Sequence, residues 1–241
     1  MICASAGPAV NQMAQEYRDQ GIPTYIFAHN IDDTAPFVRQ RASRWREAAG
    51  IPPGEGATLP LVLVNSGRET TQNSHADFRK DYTKMIEAAG DGGPTAEVSA
   101  QWHKVSDNSV GLSVTVKNTG ELAFDPFEGG NGASLLVFAV EHAKVIHLNY
   151  YAQNSQVLDL PDVLKAGQSV TVETEIPIRA SSMKRFEILA ALEYKGTDGK
   201  WDLAQGVKAT EAKPDEPPVV DPPVTDWAMR LFLPALHRGL E

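Results

Sequence analysis

Val110-Gly111-Leu112-Ser113-Val114-Thr115-Val116 alternates at period two, with Val110, Leu112, Val114 and Val116 on one face and small or polar residues between them. That is the pattern of a half-buried β-strand. Asn118-Thr119-Gly120 closes it with turn chemistry. Working outward, 135–140 and 145–150 read as further strands. Ala166-Gly167 is a turn before the strand 169–176, and the strands 186–192 and 201–204 flank the turn Thr197-Asp198-Gly199. Many short strands separated by turn signals predict an all-β sandwich of about seven strands over residues 95–210.

The composition changes on both sides of that segment. Residues 1–90 mix helical and strand patterns, and Asp91-Gly92-Gly93-Pro94 breaks both. Val10, Met13, Ala14 and Tyr17 recur at helical spacing, with Gly21 as a stop. The stretch 24–28 reads as a buried strand, 36–49 as a helix with Pro36 at its start, and 61–64 as a short apolar strand. Asn65-Ser66-Gly67-Arg68 is a hairpin turn, and Phe78, Tyr82, Met85 and Ile86 mark a last amphipathic helix. From Glu211 the chain turns acidic and Pro-rich, with Pro214, Pro217, Pro218, Pro222 and Pro223 close together. Residues 211–226 are therefore predicted to be an extended, solvated linker. An apolar tail, 227–241, follows it.

The 241 residues hold 22 Lys and Arg against 31 Asp and Glu, a net charge of −9. With no basic stripe, nucleic acid and anionic membrane surfaces are excluded as partners. No apolar run approaches the ~18 residues of a membrane-spanning helix. Ile2-Cys3-Ala4 after Met1 does not open a secretory leader. Cys3 is the single cysteine. One thiol cannot form an intramolecular disulfide or run a dithiol cycle alone.

Cys3-Ala-Ser-Ala-Gly-Pro8 has a Cys-x4-Pro spacing, followed by the helix through Tyr17, the strand 24–28, Asn30-Ile31-Asp32, Thr58-Leu59-Pro60-Leu61 and the helix 78–88. In this order residues 1–89 resemble a thioredoxin-like domain truncated at its N-terminus, without its first strands and first active-site cysteine. The resemblance implies thiol–disulfide exchange with protein thiols or disulfides and no cofactor. It puts Cys3 at the resolving-cysteine position and makes Pro60 a candidate cis-proline, with Pro8 and Leu59 as structural residues of the site. The missing centre strand leaves two readings open. Either the protein begins upstream of Met1, with a leader and the missing strands, where a full active site would be restored, or this is a degenerate domain, whose missing strand a partner chain or the sandwich could supply. On either reading residues 1–90 alone are expected to be molten, and 95–210 alone to fold cooperatively.

Val114-Thr-Val-Lys-Asn-Thr-Gly120 and Leu164-Lys-Ala-Gly-Gln-Ser-Val-Thr-Val172 resemble phrases of immunoglobulin-like or fibronectin-like modules of bacterial surface proteins. Leu231-Phe-Leu-Pro-Ala-Leu-His-Arg238 resembles the ends of secreted proteins of Chloroflexi-type bacteria, where such a tail is a sorting signal, an anchor, a strand added to a partner, or a disordered end. These likenesses imply an extracytoplasmic or cell-surface location. The fold class expected is therefore α+β and multidomain: an incomplete thioredoxin-like α/β domain, an all-β immunoglobulin-like sandwich and a Pro-rich extended tail.

Other chemistry is sparse. His29, His75, His103, His142 and His147 have no ligand-spaced partners, so no metal is expected. Asp32-Asp33-Thr34 and His75-Ala76-Asp77 read as helix starts. Gly129-Gly130-Asn131-Gly132 lacks the Lys and the following helix of a phosphate loop. Trp102, Tyr150 and Tyr151 read as core and cross-strand residues or as a binding face. Two functions follow. The first is an extracytoplasmic protein of the thiol–disulfide exchange class, inactive as a dithiol oxidoreductase in this form. The second is a non-catalytic cell-envelope binding or assembly protein acting through its sandwich and tail.

Overall fold

The computed structural model describes residues 2–22, 24–30, 36–52, 55, 58, 61–72, 77–90, 95–127, 129–143, 149–179, 183–212, 230–232 and 235–236. Its elements are α1 (Ile2–Asp19), β1 (Thr24–Ile26), β2 (Ala28–Asn30), α2 (Pro36–Ala48), β3 (Val62–Val64), β4 (Glu69–Thr71), α3 (Phe78–Ala89), β5 (Ala96–Ser106), β6 (Ser109–Asn118) and β7 (Ser134–Glu141). After these come β8 (Tyr151–Asp159), β9 (Ser169–Pro177), β10 (Phe186–Lys195), β11 (Trp201–Lys208), β12 (Thr210–Glu211), β13 (Arg230–Phe232) and β14 (Ala235–Leu236).

The alternation at 110–116 is realised in β6, where Val110, Leu112, Val114 and Val116 are fully buried. They meet Leu135, Val137 and Ala139 of β7 and Ile188, Ala190 and Leu192 of β10 across one core. One wall of this β-sandwich is a sheet of order β12-β5-β6-β9. The other belongs to a six-stranded sheet of order β11-β10-β7-β8-β2-β14. Of the strand expected at 145–150, residues 145–148 lie outside the described residues, and the strand that pairs with β7 is β8.

Strands β7 and β10 are apolar on both faces, which marks strands covered on both sides. Their second face presents Leu136, Phe138, Val140, Leu189 and Ala191, and these pack against Phe27, Leu61, Leu63 and Trp45 of the first segment. Fully burying each such side chain stabilises by about 1.5–3 kcal/mol. The first segment is thus a lid on the outer face of the sandwich.

Within that segment, α1 buries Val10, Met13 and Ala14, and α3 buries Tyr82, Ile86 and Ala89. Both cover Ile26, Val62 and Val64. Gly21 ends α1 at φ +66°, with Gly21 N donating to Arg18 O (3.0 Å) and Ile22 N to Tyr17 O (2.8 Å). The Asp77 side chain caps α3 by accepting from Lys80 N (3.0 Å). Asn65 (φ 48°) and Ser66 (φ 57°) form the left-handed turn between β3 and β4. Gly67 follows at φ +106°, where an added Cβ would lie 2.9 Å from Ala48 Cβ. Gly67→Ala is expected to lower stability by about 1–3 kcal/mol through strain and overpacking. A urea midpoint unchanged from the parent would refute this.

The expected α+β class with a separate thioredoxin-like domain does not hold. The chain is mostly β, with three α-helices among the described residues. The strands of residues 1–90 are three residues long, and among the described residues they do not form a sheet of their own. They are divided between two sheets: β1, β3 and β4 lie in a small sheet, while β2 joins the six-stranded sheet by pairing in parallel with β8. The small sheet has the order β1-β13-β3-β4, so one of its two inner strands comes from the C-terminal tail. The resemblance followed the order of local elements. Non-local pairing gave those elements a different arrangement, built onto the sandwich. The immunoglobulin-like assignment reduces to its coarser content, a β-sandwich.

Candidate functional site

Cys3 lies in the first turn of α1 and Pro8 is an exposed residue in the interior of the same helix. Leu59 and Pro60 lie outside the described residues, as do His75, His147 and the linker 213–226. Trp102, Tyr150 and Tyr151 are core-packing residues. His29 is buried and its Nε2 lies 2.8 Å from Ser155 Oγ, with Phe138 and Trp45 edge-on to the ring. Among the described residues no group of three or more His, Cys, Asp or Glu could hold a metal ion, and no helix is long and apolar enough to cross a membrane.

What the structure does assemble is a strand slot. Thr24, Tyr25 and Ile26 pair in parallel with Arg230, Leu231 and Phe232. His29 and Asn30 pair in parallel with Ala235 and Leu236. The register is the same across both ladders, so 230–232 and 235–236 lie beside 24–26 and 29–30 with one common offset. On its other side, Phe232 opposes Val64 of β3 in antiparallel fashion. The residues flanking this segment are deeply buried: Thr24, Ile26, Ala28 and His29 on one side, Val62 and Val64 on the other, none more than 4% exposed. The tail therefore connects the small sheet to the edge of the six-stranded sheet.

Two ionic clamps hold the slot against the sandwich. Period two places Glu187, Leu189, Ala191 and Glu193 on the outer face of β10, so two carboxylates bracket an apolar patch. Glu193, 1% exposed, meets Arg41 at 3.0 Å and Arg44 at 2.9 Å, both from α2. Arg41 also donates to Ser134 Oγ (2.7 Å), and Arg44 stacks 3.7 Å over the Trp201 ring. Burial lowers the Arg41 guanidinium from its ordinary value, with Glu193 opposing and Arg44 adding to the shift.

Glu187 accepts from Arg18 of α1 (3.0 Å) and from Lys208 (2.9 Å). Arg18 stacks 3.7 Å over Tyr150, and the His142 ring is edge-on to the same tyrosine. His142 Nε2 stands 3.3 Å from Glu187 Oε2, within ion-pair range when the ring is protonated but off the line of a good hydrogen bond. Burial alone would push the Glu187 carboxyl up. The contact with His142, the Arg18 charge and the Lys208 bond outweigh it and hold the carboxyl well below its ordinary 4.5. A depressed carboxylate stabilises the fold fully above its unfolded value, and that contribution is lost as pH falls through the lower folded value. Stability is therefore expected to fall below about pH 4.5, and Glu187→Gln to flatten that dependence between pH 5 and 3. Parallel pH curves for parent and variant in thermal unfolding would disprove the assignment.

The clamps were out of reach of sequence reasoning. Glu187 lies inside the strand read at 186–192 and Glu193 just beyond it, but their arginine partners lie 169 and 149 residues away.

No protein-family model matches the chain, and no curated protein sequence does. Among solved structures, the chain is similar to HBP35 of Porphyromonas gingivalis, with a TM-score of 0.51 and 15% identity, over 92% of this chain and 76% of that one. This likeness concerns the fold alone. A domain of the outer membrane lipoprotein Omp28 from Porphyromonas gingivalis matches at a TM-score of 0.30 and 10% identity, over 50% of this chain and 92% of that one. Spo0M, the sporulation control protein of Bacillus subtilis, matches at 0.30 and 12%, over 51% and 50%. These two likenesses are too slight to bear on this chain.

Proposed function

We propose that the protein is a non-catalytic binding or assembly protein of the bacterial cell envelope, in which the slot between β1 and β3 is a receptor for an extended peptide strand. In this chain the slot is occupied by the protein's own tail. The observation that supports the reading most directly is the pairing of 230–232 on both sides, to β1 and to β3. Main-chain hydrogen bonds along a strand give affinity, and alternate side chains entering pockets give selectivity, which is how β-augmentation recognises peptides. Removing such a strand exposes two edges that favour pairing with another chain. The β-sandwich and the Pro-rich acidic stretch before the tail suit a scaffold that presents or retains this segment.

The test is a titration of a fluorescent peptide of residues 227–241 into a protein truncated after residue 226. Saturable binding, with recovery of the circular dichroism and amide protection of the full chain, is the expected result. No binding to a truncated protein whose sandwich remains folded would overturn the reading.

A further inference from the structure

We infer that the tail exchanges between two copies of this chain, giving a reciprocal strand-exchanged dimer; this rests on the slot reading above. Residues 230–232 and 235–236 pair through their backbones with 24–26, with 29–30 and with Val64, and every one of those partners exists identically in a second copy. Seventeen residues, 213–229, separate the tail strand from Ala212 at the end of the sandwich. A connection of that length can span up to about 60 Å. That exceeds the ~30 Å diameter of a small domain, so it covers the way to a neighbour's slot as well as to its own. An exchanged pair repeats every contact of the closed monomer. The two forms then differ by the entropy of association and by the constraint on the connecting segment. The connecting stretch is acidic, with Asp215, Glu216, Asp221 and Asp226 against Lys213. Each pair of connections therefore repels, which favours the closed monomer at low concentration.

The register supplies the probe. Val64 and Phe232 are directly opposed in an antiparallel pair. Such Cα atoms lie about 4.5–5.5 Å apart, within the range a disulfide bridges. A chain carrying Cys3→Ser, Val64→Cys and Phe232→Cys is refolded at a series of concentrations, oxidised, and separated on non-reducing gels, with disulfides mapped by mass spectrometry. The expected products are an internally bridged monomer and a dimer bridged twice between residue 64 of one copy and 232 of the other. The dimer-to-monomer ratio should rise about tenfold for each tenfold rise in refolding concentration while the dimer is the minor form. Internal bridges alone at every concentration would overturn exchange and leave the slot reading standing. Absence of any 64–232 bridge, in a chain folded by circular dichroism, would overturn both. A second pair of chains, Cys3→Ser/Val64→Cys and Cys3→Ser/Phe232→Cys, keeps the test decisive if the double variant folds poorly. When the two are refolded together, a 64–232 bridged heterodimer supports exchange and its absence opposes it.

Discussion

A chain truncated after residue 226 is expected to lose the small sheet while its sandwich stays folded. The tail strand is flanked on both sides, so its removal leaves the backbone groups of 24–26 and Val64 that paired with it without partners, and opens to solvent a position beside the buried residues Thr24, Ile26 and Val64. Each backbone hydrogen bond lost to water costs about 0.5–1.5 kcal/mol, and each N–H or C=O that stays shielded from water costs about 1–3 kcal/mol. A few such groups match the whole 5–15 kcal/mol by which a domain is stable. The sandwich core does not depend on the tail, because β5, β6, β9 and the inner faces of β7 and β10 close on one another. Hydrogen exchange is the measurement of choice: amides of 24–30 and 62–64 should lose protection by several orders of magnitude, and those of β6 should keep it. Uniform protection across the truncated chain would refute the expectation.

The second large effect is predicted at Glu193. Replacing it with Ala leaves Arg41, 4% exposed, as a buried positive charge without its ion-pair partner, with only the more distant charge of Asp159 acting on it. Breaking a buried pair in this way costs about 3–5 kcal/mol. For a chain of this size that lowers Tm by roughly 6–20 °C. Glu193→Leu combined with Arg41→Leu should recover most of the loss, because an apolar pair needs no counter-charge in a site that also contains Leu136 and Leu203. Comparing the single and double variants by calorimetry separates the charge effect from packing. Equal destabilisation by single and double changes would argue against it. The effect should exceed that of Glu187→Ala, since the cations at Glu187 are more exposed, with Lys208 half exposed and Arg18 17% exposed.

Individual elements were legible in the sequence where local periodicity sets them. The alternation of 110–116 placed four valine and leucine side chains in the core, and the Val10, Met13 and Ala14 spacing placed the buried face of α1. The continuous apolar runs of β7 and β10 also held a signal: such strands must be covered on both faces. That signal, unused in the sequence reading, points away from an independent first domain. The resemblance failed because element order is a local property, whereas the partner of each strand is not. Nothing near 24–26 indicates that its neighbour in the sheet is 230–232.

The sequence by itself determined the period-two sandwich, the capped helices and the turn at 65–68. Each of these follows from chemistry within a few residues. Only the tertiary structure decided that the first segment is a lid on the sandwich, that Glu187 and Glu193 clamp it, and that the tail fills a position inside the small sheet. These rest on pairings between residues about 150 to 200 positions apart, where backbone groups and charges buried together must satisfy one another.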